Sequence, residues 1–168
     1  NFDKSDFLPA VISYYQTSDG ELLSMPFNSS TPVLWYNADA LKKAGVAVPI
    51  TWAEMKSASE KLLASGMDCG FSFGWQSWVM IENYSAWHDL AIGTEENGFA
   101  GLNTEFTFNN NHVANILQRI ADSGAFKYGG RRGESLPLFL EQKCAMWMNS
   151  SAYCCYIRID LFCNFRKF

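Results

Sequence analysis

The stretch from Thr51 to Gly74, "TWAEMKSASEKLLASGMDCGFSFG", constrains the fold more than any other part of the chain. Thr51 and Glu54 stand at capping-box spacing, so each can satisfy an orphan N–H of a first helical turn. Trp52, Met55, Ala58 and Leu62 recur at steps of three and four, and Gly66 supplies a stop. Three residues later "CGFSFG" has the aromatics and closing glycine of a short strand. A helix buried on one face that runs directly into an apolar strand must pack on the sheet that strand joins. That favours an α/β layer arrangement over a bundle or a sandwich.

The same grammar recurs on both sides. "PVLWYN" (32 to 37) is an apolar run of strand length, and Asn37 is placed to cap the brief helix "ADALKKAG", whose basic residues Lys42 and Lys43 fall in its last turn. "WQSWVMIENYSAWHDL" returns to helical spacing through Trp78, Ile81, Ser85 and His88, and "NNNHVANILQRIADSG" through Val113, Ile116, Leu117 and Ile120. Turn signals stand at Asp19-Gly20 and Asn97-Gly98. A Gly/Arg loop, "GGRRGE", leads into a short helix that Ser135 is placed to cap, and "CAMWM" then reads as a strand arriving at Asn149-Ser150-Ser151. Strands alternating with helices predict an α/β lobe with a partly parallel sheet. With 168 residues the chain has room for one core, as a single domain or a domain plus a fragment of another.

Charge and composition narrow the function classes. A formal net charge of −4 gives no general field for nucleic acid or an anionic membrane, so an anion must be met by local donors. No apolar stretch reaches the roughly 18 residues that span a bilayer, which argues against membrane insertion. The first residues, "NFDKSDFLPAV", carry charges where a signal peptide is apolar, and read as the interior of a longer gene product. Aromatic residues make up 15% of the chain, six of them Trp, enough to furnish a flat-faced site besides a core. The five cysteines show no zinc spacing. Cys69 and Cys144 can be a disulfide in an oxidising compartment or two buried thiols.

Small polar residues repeat in a suggestive place. Asn28-Ser29-Ser30 precedes one apolar strand and Asn149-Ser150-Ser151 ends another. Hydroxyls and free N–H groups at strand ends can hold a phosphate or sugar without a formal charge, although Ser and Asn also favour turns for their own sake. Trp75 and Trp78 are three apart in "GWQSW", and share a side if a helical turn starts there; their rings then offer a face to the C–H groups of a polyol, or else pack in the core beside Phe71, Phe73 and Trp87. Arg131 and Arg132 can meet an anion bidentately or simply face solvent. Glu82 and His88 are conceivable acid/base residues of a small phosphoester hydrolase, but neither they nor His112 stand at triad or ligand spacing. No phosphate-loop, dinucleotide, nucleophile-elbow or Cys-x-x-Cys motif is present, so no catalytic residue, metal or cofactor is assigned.

Several long blocks, in order, carry a resemblance: "FLPAVISYYQTSDGELLSMPFNSSTPVLWYN", "TWAEMKSASEKLLASGMDCGFSFGWQSW", "ENYSAWHDL", "NGFAGL", "FKYGGRRGES" and "CAMWMNSS". Together they resemble the sn-glycerol-3-phosphate-binding periplasmic proteins of bacterial ABC importers, from about Phe7 to Ser151, roughly the middle third of such a protein. The resemblance implies the larger, maltose-binding class of the periplasmic binding protein fold, two lobes joined by hinge strands around a ligand cleft. Residues 1–28 would be the end of the first lobe, 29–31 the first hinge crossing, 32–148 the second lobe and 149–151 the second crossing. Ser30 and Ser150 would both face the ligand, with Trp75 and Trp78 lining the cleft. The implied function is a periplasmic, non-enzymatic solute-binding component that takes sn-glycerol 3-phosphate and delivers it to ABC permease subunits; a glycerophosphodiester, a sugar or an oligosaccharide are the alternatives. The family's Tyr and Glu contacts of the first lobe, and its later Gly, Tyr and Arg contacts, have no counterpart here. After Ser151 the family continues Gly-Ser-Leu-Ala-Asn where this chain has Ala152-Tyr153-Cys154-Cys155, so residues 152–168 are expected to be a divergent tail, from a shifted reading frame or a degenerate end.

Overall fold

A computed structural model describes residues 3–157 and 163–167. The chain divides into two compact units, Asn1–Ser30 and Thr31–Phe168.

The first unit is short and loosely covered. Pro9 at the start of α1 (Pro9–Ile12) occupies a position where its missing N–H costs nothing, and a single 3-10 turn over Ser13–Tyr15 follows. Asp19-Gly20 makes the expected turn: Gly20 N donates to the Thr17 carbonyl (2.9 Å), Thr17 N to that of Glu21 (2.9 Å), and Gln16 bridges Leu22. Among the described residues of this unit only Ile12 is buried, while Leu8, Tyr14, Leu23 and Phe27 are exposed.

The second unit is built on one four-stranded sheet with strand order β2-β3-β1-β4, formed by β1 (Pro32–Asn37), β2 (Cys69–Phe73), β3 (Cys144–Ser150) and β4 (Cys163–Lys167). β2 and β3 run parallel, with Cys69 opposite Cys144 and Phe73 opposite Met148, while β1 is antiparallel to β3 and to β4. The sheet is thus partly parallel, as the alternation of elements predicts. Cys69 and Cys144 are disulfide-bonded at a Cα–Cα distance of 4.7 Å, which fixes where the parallel pair begins.

Period-two alternation divides the strand residues between two cores. Leu34, Phe71, Phe73, Met146 and Met148 join Leu41 of α2 (Ala38–Lys43), Met55, Ala58 and Leu62 of α3 (Trp52–Ala64), and Val79, Met80 and Ile120 in the larger one. Val33, Trp35 and Trp147 face the smaller core with Phe139 and Ile157. β3 is buried along its whole length, as a central strand covered on both faces must be.

Local chemistry accounts for most of the helix ends. Asn37 Oδ1 accepts from Ala40 N (3.0 Å) and Thr51 Oγ1 from Glu54 N (3.1 Å), both as expected. The reciprocal bond of the capping box shifts by one residue, because Glu54 Oε2 accepts from Ile50 N (2.7 Å). Gly66 ends α3 at φ +97°, a left-handed conformation that suits glycine. A short left-handed turn, α5 (Thr94–Asn97), carries Asn97-Gly98, with Asn97 Oδ1 accepting from Ile92 N and Gly93 N.

Three expectations are corrected. The helix after β2 opens as a π-helix over Ser77–Glu82 before α4 (Asn83–Trp87). Its wider turn rotates the buried face, so Val79, Met80 and Ser85 are covered, Trp78 and Ile81 are half-buried and His88 is exposed. On α6 (Asn111–Asp122), Val113 and Ile120 are buried and Ile116 half-buried, but Leu117 lies at the flank of the stripe and is 37% exposed. Ser135 does not cap α7 (Leu136–Leu140) with its side chain; its buried Oγ accepts from Trp147 Nε1 (2.7 Å), a bond that an apolar site strengthens. Residues Ser151–Cys155 form a 3-10 turn, and β4 adds a strand along β1 with Val33 opposite Lys167 and Asn37 opposite Cys163. The expectation for residues 158–162 and 168 lies outside the described residues.

Candidate functional site

The C-terminal ends of the parallel pair β2/β3 are where an α/β sheet presents ligand-binding groups. Three segments meet there: Gly74-Trp75-Gln76 after β2, the loop Gly129–Gly133, and Asn149-Ser150-Ser151 at the end of β3. Gly74 N donates to the Met148 carbonyl (3.2 Å), and a Cβ at Gly74 would overlap the Arg132 carbonyl oxygen and Asn149 Nδ2. Glycine is therefore what lets loop and strand end close on each other. Trp75 N donates to the carbonyls of Arg131 (3.1 Å) and Arg132 (3.2 Å), and Gln76 Nε2 to that of Gly130 (2.6 Å), so the Gly/Arg loop is tied to the residues that leave β2.

Trp75 has φ +52°, an outlier for a bulky side chain, and strain of this kind persists only where surroundings hold it. Its carbonyl accepts from Val79 N (2.8 Å), so the helix departs from Trp75 rather than containing it. The two tryptophans therefore do not share one helical face. Trp75 is 40% exposed with the Arg132 guanidinium carbon 5.6 Å from its ring centroid, whereas Trp78 packs against the larger core alongside Phe71 and Phe73. Trp87, an alternative packing partner, is 58% exposed.

At the end of β3 the polar triplet is fixed by hydrogen bonds. Ser150 Oγ accepts from Ala152 N (3.0 Å), which leaves the hydroxyl proton uncommitted. The Ser150 carbonyl accepts from Trp35 Nε1 (3.3 Å) and Asn149 Oδ1 from Ser150 N (2.7 Å). Asn149 Nδ2 is buried and has no hydrogen-bond partner among the described residues. Ser151 is committed to the connection with β1: its N–H donates to the Thr31 carbonyl (2.9 Å) and its Oγ accepts from Thr31 N (3.2 Å). Ser30, the last residue of the first unit, is exposed and immediately precedes Thr31 in sequence.

Sequence reasoning singled out Ser150 and Trp75, named Asn149 only as part of the polar triplet, and passed over Gln76. The close approach at Gly74 was hinted at only by the glycine that closes "CGFSFG". Glu82 and His88 are both exposed, and His88 Nδ1–H donates to the Tyr84 carbonyl (2.8 Å) with the two rings stacked at 4.0 Å. Among the described residues no three His, Cys, Asp or Glu side chains group as metal ligands, and no helix is long and apolar enough to cross a membrane. A separate groove of about 410 Å³ lies between α3 and α6, floored by Met55, Phe71 and Ile120, away from the strand-end donors.

Residues 2–156 match the family described as bacterial extracellular solute-binding protein. The sn-glycerol-3-phosphate-binding periplasmic protein UgpB of Brucella abortus is 45% identical over 157 residues, covering 89% of this chain and 36% of that protein. The chain therefore spans little more than a third of that relative. Among solved structures, the GacH receptor of Streptomyces glaucescens superposes with a TM-score of 0.77 at 21% identity, over 100% of this chain and 44% of the receptor. UgpB from Mycobacterium tuberculosis, solved with glycerophosphocholine, gives 0.67 at 17% identity over 97% and 41%. These likenesses assign the maltose-binding-like periplasmic fold, of which this chain is a partial lobe arrangement. By sequence match and by fold, the chain belongs to the bacterial extracellular solute-binding proteins.

Proposed function

We propose that this chain is a segment of the solute-binding component of an ABC importer and that its solute is sn-glycerol 3-phosphate. The 45% identity to UgpB over 89% of the chain carries this reading. The strand-end geometry supports it: a hydroxyl with a free proton at Ser150 and an exposed ring at Trp75 suit the oxygen atoms and C–H groups of a small polyol ester. Ser30, Ser150, Trp75 and Trp78 are the proposed ligand contacts, with residues 29–31 and 149–151 as the two hinge crossings. Residues 1–28 then end the first lobe and 32–148 form most of the second. The role is delivery to permease subunits, without turnover, in the periplasm; the Cys69–Cys144 disulfide suits an oxidising compartment.

Binding by closure draws on both lobes. The 168-residue chain alone is therefore expected to bind glycerol 3-phosphate weakly or not at all, and micromolar affinity in titration calorimetry would contradict this. The reading itself is tested by a chimera in which residues 7–151 replace the matching segment of the Brucella UgpB. Retained glycerol 3-phosphate binding is the expected result. Loss of it in a folded chimera, or a change of preference to maltose, overturns the assignment, and competition with glycerophosphocholine separates a monoester from a diester solute.

A further inference from the structure

The Arg132 side chain is exposed on the loop beside the strand ends. Among the described residues the ion pairs are Lys56–Glu60 and Lys143–Glu141, so no carboxylate pairs with the Arg132 guanidinium. The nearest acidic residue in sequence, Glu134, is engaged elsewhere: its Oε2 accepts from the Arg132 backbone N–H (3.1 Å). What the guanidinium does meet is the indole of Trp75, at 5.6 Å from the centroid. That contact holds the long side chain by cation–π attraction and leaves N–H donors unused.

The backbone around this pair is over-determined. Trp75 is held at φ +52° by two hydrogen bonds to the Arg131 and Arg132 carbonyls, Gln76 clamps Gly130, and the Arg132 carbonyl sits against Gly74 beside Asn149. On the other side of the loop, Gly133 has no room for a Cβ because the Tyr153 hydroxyl lies against it, and Tyr153 in turn packs on the buried Trp147 (4.8 Å). Fixing an exposed arginine over an exposed aromatic ring, at the end of the parallel strands and next to the serine-bearing turn, is preorganisation for a ligand rather than for stability.

We infer that Arg132, braced on Trp75, is an oxyanion-recognising residue of this lobe, and that it selects a phosphate-ester solute over a neutral polyol. This rests on the solute-binding reading above and deepens it by assigning the phosphate contact within this chain. A guanidinium with free donors binds a phosphate by charge-assisted, bidentate hydrogen bonds, which a neutral hydroxyl cannot match. Because every group involved belongs to the second unit, a weak anion response, well short of the affinity that closure of two lobes gives, is expected from this chain by itself.

The test is an NMR titration of the full 168-residue chain, following the Arg132 Nε–Hε and Trp75 indole N–H signals with inorganic phosphate, glycerol 3-phosphate and glycerol. Both phosphate compounds are expected to shift the two signals together, and glycerol to leave them in place. Arg132→Met should weaken the response roughly tenfold or more, Arg132→Lys should retain part of it, and Arg131→Met should leave it unchanged. An equal response to glycerol, an unaltered response in the Arg132→Met chain, or no shift at either signal in the unsubstituted chain overturns the inference. Failure here leaves the chimera result intact, whereas failure of the chimera with these shifts preserved would mean an anion site serving another solute.

Discussion

Asn28-Ser29-Ser30 and Asn149-Ser150-Ser151 are the same three residues in two physical situations. The first triplet is exposed, lies outside helix and strand, and makes no hydrogen bond among the described residues. The second ends a strand buried on both faces, with Asn149 and Ser150 covered and each residue hydrogen-bonded. The difference comes from what feeds each triplet. "CAMWM" is gripped by two cores, whereas the run before Asn28 leaves Leu23, Met25 and Phe27 in solvent. A polar turn becomes a preorganised site only when the apolar segment before it is immobilised.

The most direct way to break that comparison is to remove the anchor two residues before the second triplet. Trp147 is fully buried, donates to Ser135 Oγ, and packs between Phe139 (6.1 Å) and Tyr153 (4.8 Å). Trp147→Ala leaves a cavity and an orphaned hydroxyl, and is expected to lower the unfolding free energy by up to about 5 kcal/mol in urea titrations followed by circular dichroism. Phe27→Ala, immediately before the first triplet, should change stability by no more than about 0.5 kcal/mol. Similar costs for the two would mean that β3 is not what holds the second triplet. Reduction of Cys69–Cys144 acts at the opposite end of the same strand. Its ends are 75 residues apart, and chain-entropy reasoning gives a loss of about 4.5 kcal/mol, read as a lower urea midpoint with reductant present.

What could be read from the sequence follows the same division. Caps, stops and apolar runs are local, so β1, α2, α3, β2, α6 and β3 were all foreseeable from "PVLWYN" through "CAMWM". The π-helix was not, because Trp78, Ile81, Ser85 and His88 fit an ordinary helical stripe and only packing widens the turn. Ser135 sits where a cap belongs, yet the indole of Trp147, twelve residues on, takes its oxygen. Of the candidate site, Ser150 was visible as half of a repeated triplet. The approach of Arg132 to Trp75 and of Asn149 to Gly74 spans dozens of residues, and no local signal encodes it. β4 pairs with β1, and backbone pairing leaves little trace in a tail crowded with Cys and Phe.

The smallest effects sharpen the comparison most, because they contrast like with like. Asn149→Ala removes a buried amide whose Oδ1 accepts from Ser150 N, but it also removes an Nδ2 that has no partner. Losing the first costs stability and losing the second restores some, so the net cost should stay near 1 to 2 kcal/mol, about what a single buried hydrogen bond contributes. Ser150→Ala deletes the acceptor for Ala152 N and should cost about 1 kcal/mol. Asn28→Ala changes only groups already in water, and its effect should fall within about 0.5 kcal/mol. Measured side by side in urea, Asn149→Ala and Asn28→Ala should thus differ although the substitution is identical. Equal losses would mean that the first triplet is packed as firmly as the second, and the proposal that only the second is preorganised for ligand would have to be abandoned.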